Sequence, residues 1–309
     1  MIAAFAPATV SNVACGFDVL GFALDEPGDL VMAGPSDVPG VTIVDIVGDG
    51  GRLPRDARRN TAGAAVSALL AHLQTTRGVA LTLHKGIPLE SGIGSSGASA
   101  VAAVVAVNEL LGRPVGTDVL LACAMAGEQA GCGAAHPDNV APALLGGFVL
   151  ARSITPPDVV RLPVPDGLAC ALLHPHLEVH TGTARALLGE TVPLATAIRQ
   201  WANLGALVAA LFSGDRALLA RSLDDGVAEP KRAGLVPGFY QVKDAAIAAG
   251  ALGCSLSGSG PSIFALAASL DTARVVGEAM QATFARHSDA GSDCYVSPVG
   301  RAGARVVTR

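Results

Sequence analysis

The sequence has few aromatic residues, no long hydrophobic run and no pair of cysteines in C-x-x-C spacing. Tryptophan, tyrosine and phenylalanine make up 4% of its 309 residues, although 50% of all residues are hydrophobic. This composition favours helices packed closely on sheets, with alanine and glycine at the contacts. The longest candidate run, 98–111, is shorter than the ~20 apolar residues of a membrane span. We therefore expect no membrane-spanning segment.

Basic residues are also scarce, since 21 Lys and Arg stand against 26 Asp and Glu and the formal net charge is −5. Basic clusters are limited to 52–59 and the Lys231-Arg232 pair, so we expect no nucleic-acid partner. The N-terminus lacks the basic n-region of a signal peptide. The six cysteines have mostly apolar or small neighbours, which is typical of reduced, mostly buried thiols in a cytoplasmic protein.

The length allows two units of ordinary size, each with its own core. The stretch 153–158 (S-I-T-P-P-D) has the composition of a linker and predicts a boundary between residues 1–154 and 155–309. Each unit carries a loop rich in glycine and serine, at 88–99 and at 253–262. We expect an active cleft between these two loops.

The first of these loops, 88–99, reads P-L-E-S-G-I-G-S-S-G-A-S and has the features of a phosphate site. Its glycines let backbone N–H groups face a ligand, and the helix that follows adds the positive end of its dipole. A dinucleotide-binding G-x-G-x-x-G is rejected because another helical run follows, where that fold needs a parallel strand. A P-loop is rejected because Ala98 stands where lysine is needed.

A second polar cluster contains His136, Asp138 and Asn139, which we interpret as a loop followed by a strand at 144–150. Glu128 precedes this cluster near the C-terminal end of a helix. A carboxylate at that position opposes the helix dipole, so it does not serve helix stability.

These residue types suit the transfer of a phosphoryl group from a nucleoside triphosphate. A metal that bridges the phosphates needs a hydroxyl and one or two carboxylates, for which Ser96 and Glu128 are the natural pair. Arg185 and Arg232 offer forked donors for a carboxylate, and Asp18 could bind an ammonium. Three further side chains could bind a hydroxyl: Asn12, His136 and Asn139. The set as a whole suits an amino acid that bears an alcohol.

Four segments resemble motifs of the GHMP small-molecule kinases. They are 6–21 (A-P-A-T-V-S-N…G-F-D-V-L-G), the 88–99 loop, 136–142 (H-P-D-N-V-A-P) and 257–262 (S-G-S-G-P-S). The phosphate loop indicates only the superfamily. The combination of G-F-D-V-L-G, H-x-D-N-V-A-P and H-T-G-T-A-R is similar to the branch of that superfamily that acts on L-homoserine.

This resemblance implies an α+β, two-layer fold with a ribosomal-protein-S5-like N-terminal domain and a ferredoxin-like C-terminal domain. It implies transfer of the ATP γ-phosphate to the hydroxyl of L-homoserine, with Mg²⁺, by a homodimer. The matching homoserine-binding positions are Asn12, Asp18, His136, Asn139, Arg185 and Arg232, with Thr183 nearby. The matching nucleotide positions are Asn60, Pro88, Ser91, Gly92, Ile93, Gly94, Ser95, Ser96, Gly97, Ala98 and Ser99. The implied metal ligands are Ser96 and Glu128, and the implied catalytic residues are Asn139, His136 and Glu128.

The sequence departs from the family pattern at two places. Several relatives carry an aspartate general base where Asn139 stands, and an amide cannot accept a proton. Catalysis would then depend on positioning and electrostatic stabilisation, and we expect the adjacent Asp138 to point elsewhere. The stretch 13–15 (V-A-C) also stands where the family often has Leu-Gly-Pro.

Three other functions stay open at this point. A GHMP kinase for a sugar, a mevalonate-type acid or shikimate would share the phosphate loop, although the paired arginines with Asp18 favour a zwitterion. A ligand sensor on the same fold would be expected to have lost metal or phosphate residues, whereas Ser96 and Glu128 are present. An NAD-dependent oxidoreductase depends on the G-x-G-x-x-G match alone.

Overall fold

The computed structural model describes residues 1–307, which form two sheets with helices packed on them. The first sheet contains seven strands: β1 (Ile2–Ser11), β2 (Leu20–Ser36), β3 (Gly40–Val47), β4 (Gly78–His84), β5 (Phe148–Ser153), β6 (Asp158–Leu162) and β11 (Arg305–Val307). The second contains four: β7 (Ala169–Pro175), β8 (Gly253–Leu256), β9 (Ile263–Ala267) and β10 (Ser292–Pro298). The mixture of mainly antiparallel sheets and helices confirms the α+β prediction.

Ten α-helices accompany these strands within residues 1–307. They are α1 (Thr61–His72), α2 (Ser95–Leu110), α3 (Thr117–Cys132), α4 (Pro137–Leu145), α5 (Thr181–Ala186), α6 (Leu194–Ser213), α7 (Arg216–Ser222), α8 (Glu229–Arg232), α9 (Phe239–Ala248) and α10 (Leu270–Phe284). Over this described stretch, none of the helices combines the length and the apolar character that a bilayer crossing needs.

The order of strands in the first sheet is β11-β1-β2-β4-β3, and β5 pairs with the beginning of β2 and with β6. Only β3 and β4 run parallel, and helix α1 lies in the connection between them, as a parallel pair requires. The second sheet has the order β10-β7-β9-β8 and is antiparallel throughout. This arrangement places the loop before α2 and the loop between β8 and β9 at the same region of the molecule.

Helix α2 occupies the centre of the larger core. It is apolar on all sides, with alanine and valine over most of its length, and it packs on β1, β2, α1 and α3. A helix without a polar face is stable only when it is enclosed. The same core continues into the second sheet, because the Phe22 ring contacts both Phe148 and Phe264, with centroids 4.9 Å and 6.0 Å apart.

The predicted linker at 153–158 is wrong. Ser153 pairs with Asp158 in the ladder between β5 and β6, so this stretch is the turn of a β-hairpin. Proline suits a tight turn as well as a linker, and composition does not separate the two. Strand β11 also returns to the first sheet beside β1, so the sheets do not divide at residue 154. The division into units 1–154 and 155–309 stays a prediction, and its last two residues lie outside the described chain.

The cluster at 136–139 lies at the start of a helix and not in a loop. Pro137 occupies the first turn of α4, where its fixed φ angle suits the helix and its missing N–H is not needed. The strand predicted at 144–150 begins only at Phe148, since α4 continues to Leu145. The six cysteines are free, and four of them are buried as predicted.

Helix α4 contacts β2 directly at Gly21. A Cβ atom at this glycine would lie 1.8 Å from the carbonyl oxygen of Asp138, so only glycine permits the approach. We expect Gly21→Ala to lower the free energy of unfolding by about 1–3 kcal/mol, because the backbone must shift to accept the methyl group. Urea denaturation followed by circular dichroism measures the change.

Gly234→Ala is the matched control. A Cβ atom at Gly234 would meet no atom within 4 Å, and we expect a change below ~0.5 kcal/mol. Equal losses in the two variants would contradict the close approach of α4 to β2.

Candidate active site

A cavity of about 420 Å³ lies where the two glycine-rich loops meet. The site residues predicted from sequence that line it are Asn12, Asp18, Asn60, Ser91, Gly92, Gly94, Ser95, Ser96, Ser99, Glu128, His136, Asn139, Arg185 and Arg232. Those that do not line it are Pro88, Ile93, Gly97, Ala98 and Thr183. Ile93 and Ala98 are core residues, because their side chains turn away from the cavity and are fully buried.

The two glycine-rich loops interlock at Gly92. Its φ angle is +76°, and a Cβ atom there would lie 2.5 Å from the carbonyl oxygen of Gly260. The Ser257 hydroxyl donates a hydrogen bond of 2.8 Å to the Gly92 carbonyl. Glycine is therefore required both by the backbone conformation and by the close packing of the loops.

Helix α2 begins without a side-chain cap. Its N-cap residue is Gly94, with φ +74°, so no N-cap side chain accepts a hydrogen bond from the N–H groups of the first turn. Such a helix start is suited to an anion, because the N–H groups and the dipole both favour negative charge. A Cβ atom at Gly94 would lie 2.2 Å from Thr9 Oγ1. The same Thr9 hydroxyl donates to Asn139 Oδ1 at 3.1 Å, and the Thr9 N–H donates to the Ile93 carbonyl at 3.1 Å, so this β1 residue connects α4 to the phosphate loop.

A buried ion pair between Asp29 and Lys85 supports this helix start, and the sequence analysis did not identify it. The Lys85 ammonium also donates to the Ser95 carbonyl at 2.9 Å and to Ser99 Oγ at 2.7 Å. Lys85 lines the cavity beside the phosphate loop, and its charge is balanced by that of Asp29. The available signal was a lysine directly after an apolar strand and just before the glycine-rich loop.

Glu128 is buried and has only long contacts with its neighbours. Its carboxylate lies 3.4 Å from His136 Nδ1 and 3.9 Å from Cys132 Sγ. The contact with Glu128 raises the pKa of His136 above 6.5, against the effect of burial. A buried carboxylate whose partners are a histidine at 3.4 Å and a thiol at 3.9 Å can also hold a metal cation, since a buried negative charge favours a positive one beside it.

No group of three or more His, Cys, Asp or Glu side chains among residues 1–307 could enclose a metal by itself. A magnesium ion that bridges phosphates usually needs only one or two protein carboxylates. Ser96 and Glu128 both line the cavity, and the donor set therefore fits such an ion only together with a bound phosphate.

The segment from Asn12 to Asp18 has an unusual backbone. Asn12, Val13, Ala14 and Asp18 all have positive φ angles, of 70°, 42°, 56° and 58°. Such angles cost non-glycine residues of order 1–3 kcal/mol each, and they persist only where surrounding contacts hold them. Here Asn12 Nδ2 donates to the Gly258 carbonyl at 2.8 Å, and Asn12 Oδ1 accepts from the Asp18 N–H at 3.0 Å. The strain is concentrated at one wall of the cavity.

Opposite charges line that same wall. Arg185 Nη1 contacts Asp18 Oδ2 at 2.5 Å, and Arg232 Nη1 donates to the Gly258 carbonyl at 3.0 Å. Both guanidinium groups lie over the Phe17 ring, at 5.4 Å and 5.2 Å from its centroid. The structure thus brings together two cations and one carboxylate that are far apart in sequence.

Asp138 lines the cavity beside Asn139, contrary to the expectation that it points elsewhere. Burial raises the pKa of its carboxyl from 3.8 to about 6, and the charge of Asp18 adds to the rise. A backbone hydrogen bond from Asn12 opposes this effect.

The far end of the cavity is formed by Asn60 and the 52–59 loop. Asn60 caps α1 by accepting from the Ala62 N–H at 3.1 Å, and its amide donates to the Pro54 carbonyl at 3.0 Å. Arg52, which belongs to the same loop, pairs with both Glu90 and Glu178, at 3.0 Å and 2.9 Å. These ion pairs were not predicted, because they join three separate segments.

Comparison with known proteins agrees with this geometry. The family model for the GHMP kinases N terminal domain matches residues 60–147, and the model for the GHMP kinases C terminal matches residues 207–286. The chain is 54% identical to a homoserine kinase of Chlorobium phaeovibrioides, covering 98% of both chains. It is 51% identical to one from Chlorobium phaeobacteroides, covering 99% of both.

One solved structure is similar to this chain over almost its entire length. The crystal structure of homoserine kinase from Cytophaga hutchinsonii superimposes with a TM-score of 0.96 at 52% identity, covering 99% of this chain and 97% of that one. The predicted GHMP kinase fold is thereby confirmed. The chain belongs to the homoserine kinase family of the GHMP kinases.

Proposed function

We propose that this protein transfers the γ-phosphate of ATP to the hydroxyl of L-homoserine, giving O-phospho-L-homoserine and ADP. The observation that carries this proposal is the wall formed by Asp18, Arg185 and Arg232, in the same cavity as an uncapped helix start. The wall has complementary charge for the ammonium and carboxylate of an amino acid. The helix start has complementary charge for a triphosphate.

The nucleotide phosphates would lie along the 88–99 loop, with their charge facing the start of α2. Ser96 and Glu128 would hold Mg²⁺ against them. When bound, the ion neutralises charge on the β- and γ-phosphate oxygens. We assign the far end of the cavity, beside Asn60, to the adenine.

The acceptor would displace part of the contact between Asp18 and Arg185. Its carboxylate would then bind the two arginines, and its ammonium would bind Asp18. Asn139 Oδ1 already accepts from Thr9, which leaves the amide Nδ2 to orient the hydroxyl together with His136. A loose transition state for phosphoryl transfer depends mainly on such positioning, so Asn139 need not act as a base.

The test is ADP formation from MgATP with L-homoserine, beside L-serine, L-threonine, mevalonate, shikimate and galactose. Turnover confined to L-homoserine is the expected result. Turnover with another alcohol alone would overturn the acceptor assignment while keeping the phosphate loop. ATP binding without turnover on any of the six would favour a sensor.

Glu128 and Asp138 provide a comparison of two buried carboxylates. We expect Glu128→Gln to lower kcat at least ~100-fold, because a metal ligand supplies several kcal/mol of charge stabilisation. Asp138→Asn is expected to keep kcat within roughly tenfold, because the amide preserves its size and burial.

The pH profile separates positioning from general base catalysis. The pKa of Asp138 is about 6, so as a base it would make kcat fall as the pH drops below 6, and Asp138→Asn would remove that fall. We expect the same profile from both forms. A profile that becomes flat in Asp138→Asn would identify Asp138 as the base.

Arg185→Ala tests the carboxylate site. We expect KM for L-homoserine to rise roughly 10- to 100-fold, since a charge-assisted hydrogen bond contributes about 1.5–3 kcal/mol. KM for ATP should change less than about two-fold, because Arg185 is not assigned to the phosphates. Steady-state kinetics with each substrate varied in turn measures both.

Arg274→Ala is the control for this variant, since Arg274 is an exposed arginine on α10 that pairs with Asp271 at 2.6 Å. It should leave both KM values unchanged. An equal rise in KM for ATP and for L-homoserine in Arg185→Ala would contradict the assignment of this arginine.

A further inference from the structure

Arg232 is the buried member of the charged cavity wall, and protein carbonyl groups already hold its guanidinium. Its Nε donates to the Ala184 carbonyl at 3.2 Å and its Nη1 to the Gly258 carbonyl at 3.0 Å. Arg232 is 3% exposed, whereas Arg185 is half-exposed. Within residues 1–307, Nη2 of Arg232 donates to no other residue. Since Arg232 lines the cavity, Nη2 is a donor available to a carboxylate bound there.

Two buried side chains, Asp225 and Gln200, hold the backbone that carries Arg232. Helix α8 is a single turn of four residues, which is too short to be stable by itself. Residues 226–229 donate four successive backbone N–H groups to these side chains, at 2.8–3.0 Å. The first donates to Gln200 Oε1, the second and third to Asp225 Oδ1, and the fourth to Asp225 Oδ2. The start of α8 is therefore fixed by side chains that precede it.

Asp225 is itself held by helix α6. Gln200 Nε2 donates to Asp225 Oδ1 at 3.1 Å, so the carboxylate accepts four hydrogen bonds in all. A buried carboxylate with this many donors is fixed in orientation, and replacement of one oxygen leaves a buried N–H group unpaired. Asp225 is not among the residues that line the cavity. It can therefore act on a bound acceptor only through Arg232.

Glu229 ties the same turn to the second sheet. Its carboxylate accepts from Lys243 Nζ at 2.6 Å and 2.8 Å, and from Ser255 Oγ at 2.7 Å. Lys243 lies on α9 and Ser255 on β8. The Glu229 N–H is also the group that donates to Asp225 Oδ2. A change at Asp225 would therefore release one side of this residue, three positions before Arg232, while the other side stays tied.

We propose that Asp225 is a positioning residue for the acceptor carboxylate, because it holds the start of α8 so that Arg232 directs Nη2 into the cavity. This inference rests on the proposed function in one respect, that the acceptor carboxylate binds Arg232. The Gly258 carbonyl that accepts from Arg232 also accepts from Asn12 Nδ2 at 2.8 Å. The oriented guanidinium and the strained segment at 12–18 thus share one anchor.

Asp225→Asn tests the proposal with the smallest change. The amide keeps one acceptor oxygen, so the Oδ1 contacts can persist while the Glu229 N–H faces a donor. We expect KM for L-homoserine to rise about 5- to 20-fold, because Arg232 no longer meets the carboxylate in the right direction. KM for ATP should stay within about two-fold and kcat within about three-fold, since the phosphate loop is untouched. Equal rises in both KM values would overturn the proposal.

A double-mutant cycle separates positioning from a general loss of structure. In an Arg232→Ala background, Asp225→Asn should change KM for L-homoserine by less than about two-fold, because the residue through which it acts is gone. A further rise as large as in the unmodified chain would contradict the proposal.

A crystal structure of Asp225→Asn gives a readout without any substrate. It should show Arg232 Nη1 displaced from the Gly258 carbonyl, and an unchanged guanidinium would overturn the proposal. This readout does not depend on which alcohol is phosphorylated. A failure of the proposed function, seen as absence of turnover with L-homoserine by the unmodified chain, is therefore distinguishable from a failure of this inference.

Asp215→Asn is the matched control. Asp215 also caps a helix, α7, by accepting from the Leu218 N–H at 2.9 Å, and it does not line the cavity. Both KM values should stay unchanged in this variant. Gln200→Leu serves if Asp225→Asn does not fold by circular dichroism. It removes one donor to Asp225 and should raise KM for L-homoserine about three-fold, and an unchanged KM would count against the proposal.

Discussion

The buried ion pair between Asp29 and Lys85 is the contact on which the arrangement of the phosphate loop depends. Removal of two charges from water costs several kcal/mol per ion, and it is offset only when the remaining donors and acceptors are satisfied. Here the Asp29 carboxylate also accepts from the Gly86 and Ile87 N–H groups and from Ser99 Oγ. Strands β2 and β4 and the first turn of α2 are therefore held in one position. The pair fixes geometry more than it adds stability.

The cavity wall formed by residues 12–18 differs from the phosphate loop, because its backbone is strained. The segment from Asn12 to Asp18 is in an unfavourable backbone conformation, and it is held by contacts at each side, through Gly258 and through α6. Ala14 has a positive φ angle, which its Cβ atom makes unfavourable. A strained wall with half-exposed charges, opposite a phosphate loop supported by a buried ion pair, suits a site in which one substrate is aligned against another.

The features that could be predicted from the sequence are local or carried by motifs. Asn60 caps α1 by accepting from the N–H groups of Ala62 and Gly63, so this start signal lies within three residues. Lys85 was missed because its partner Asp29 is 56 residues away in sequence, and only the pairing of β2 with β4 brings the two together. Pro137 was read as part of a loop because proline, aspartate and asparagine suit both a turn and a helix start. Most of the site residues predicted from the motifs line the cavity, whereas charges paired across segments depend on the tertiary fold.

The pairing of β11 with β1 has a consequence for synthesis of the chain. Residues 305–307 complete the sheet beside residues 3–5, so one edge of the first strand stays unpaired until residues 305–307 have been synthesised. An unpaired strand edge is a template for association with other chains, and pairing between such distant segments is slow. The nascent chain therefore carries this exposed edge while about 300 residues are added, and it depends on residues 305–307 to cover it.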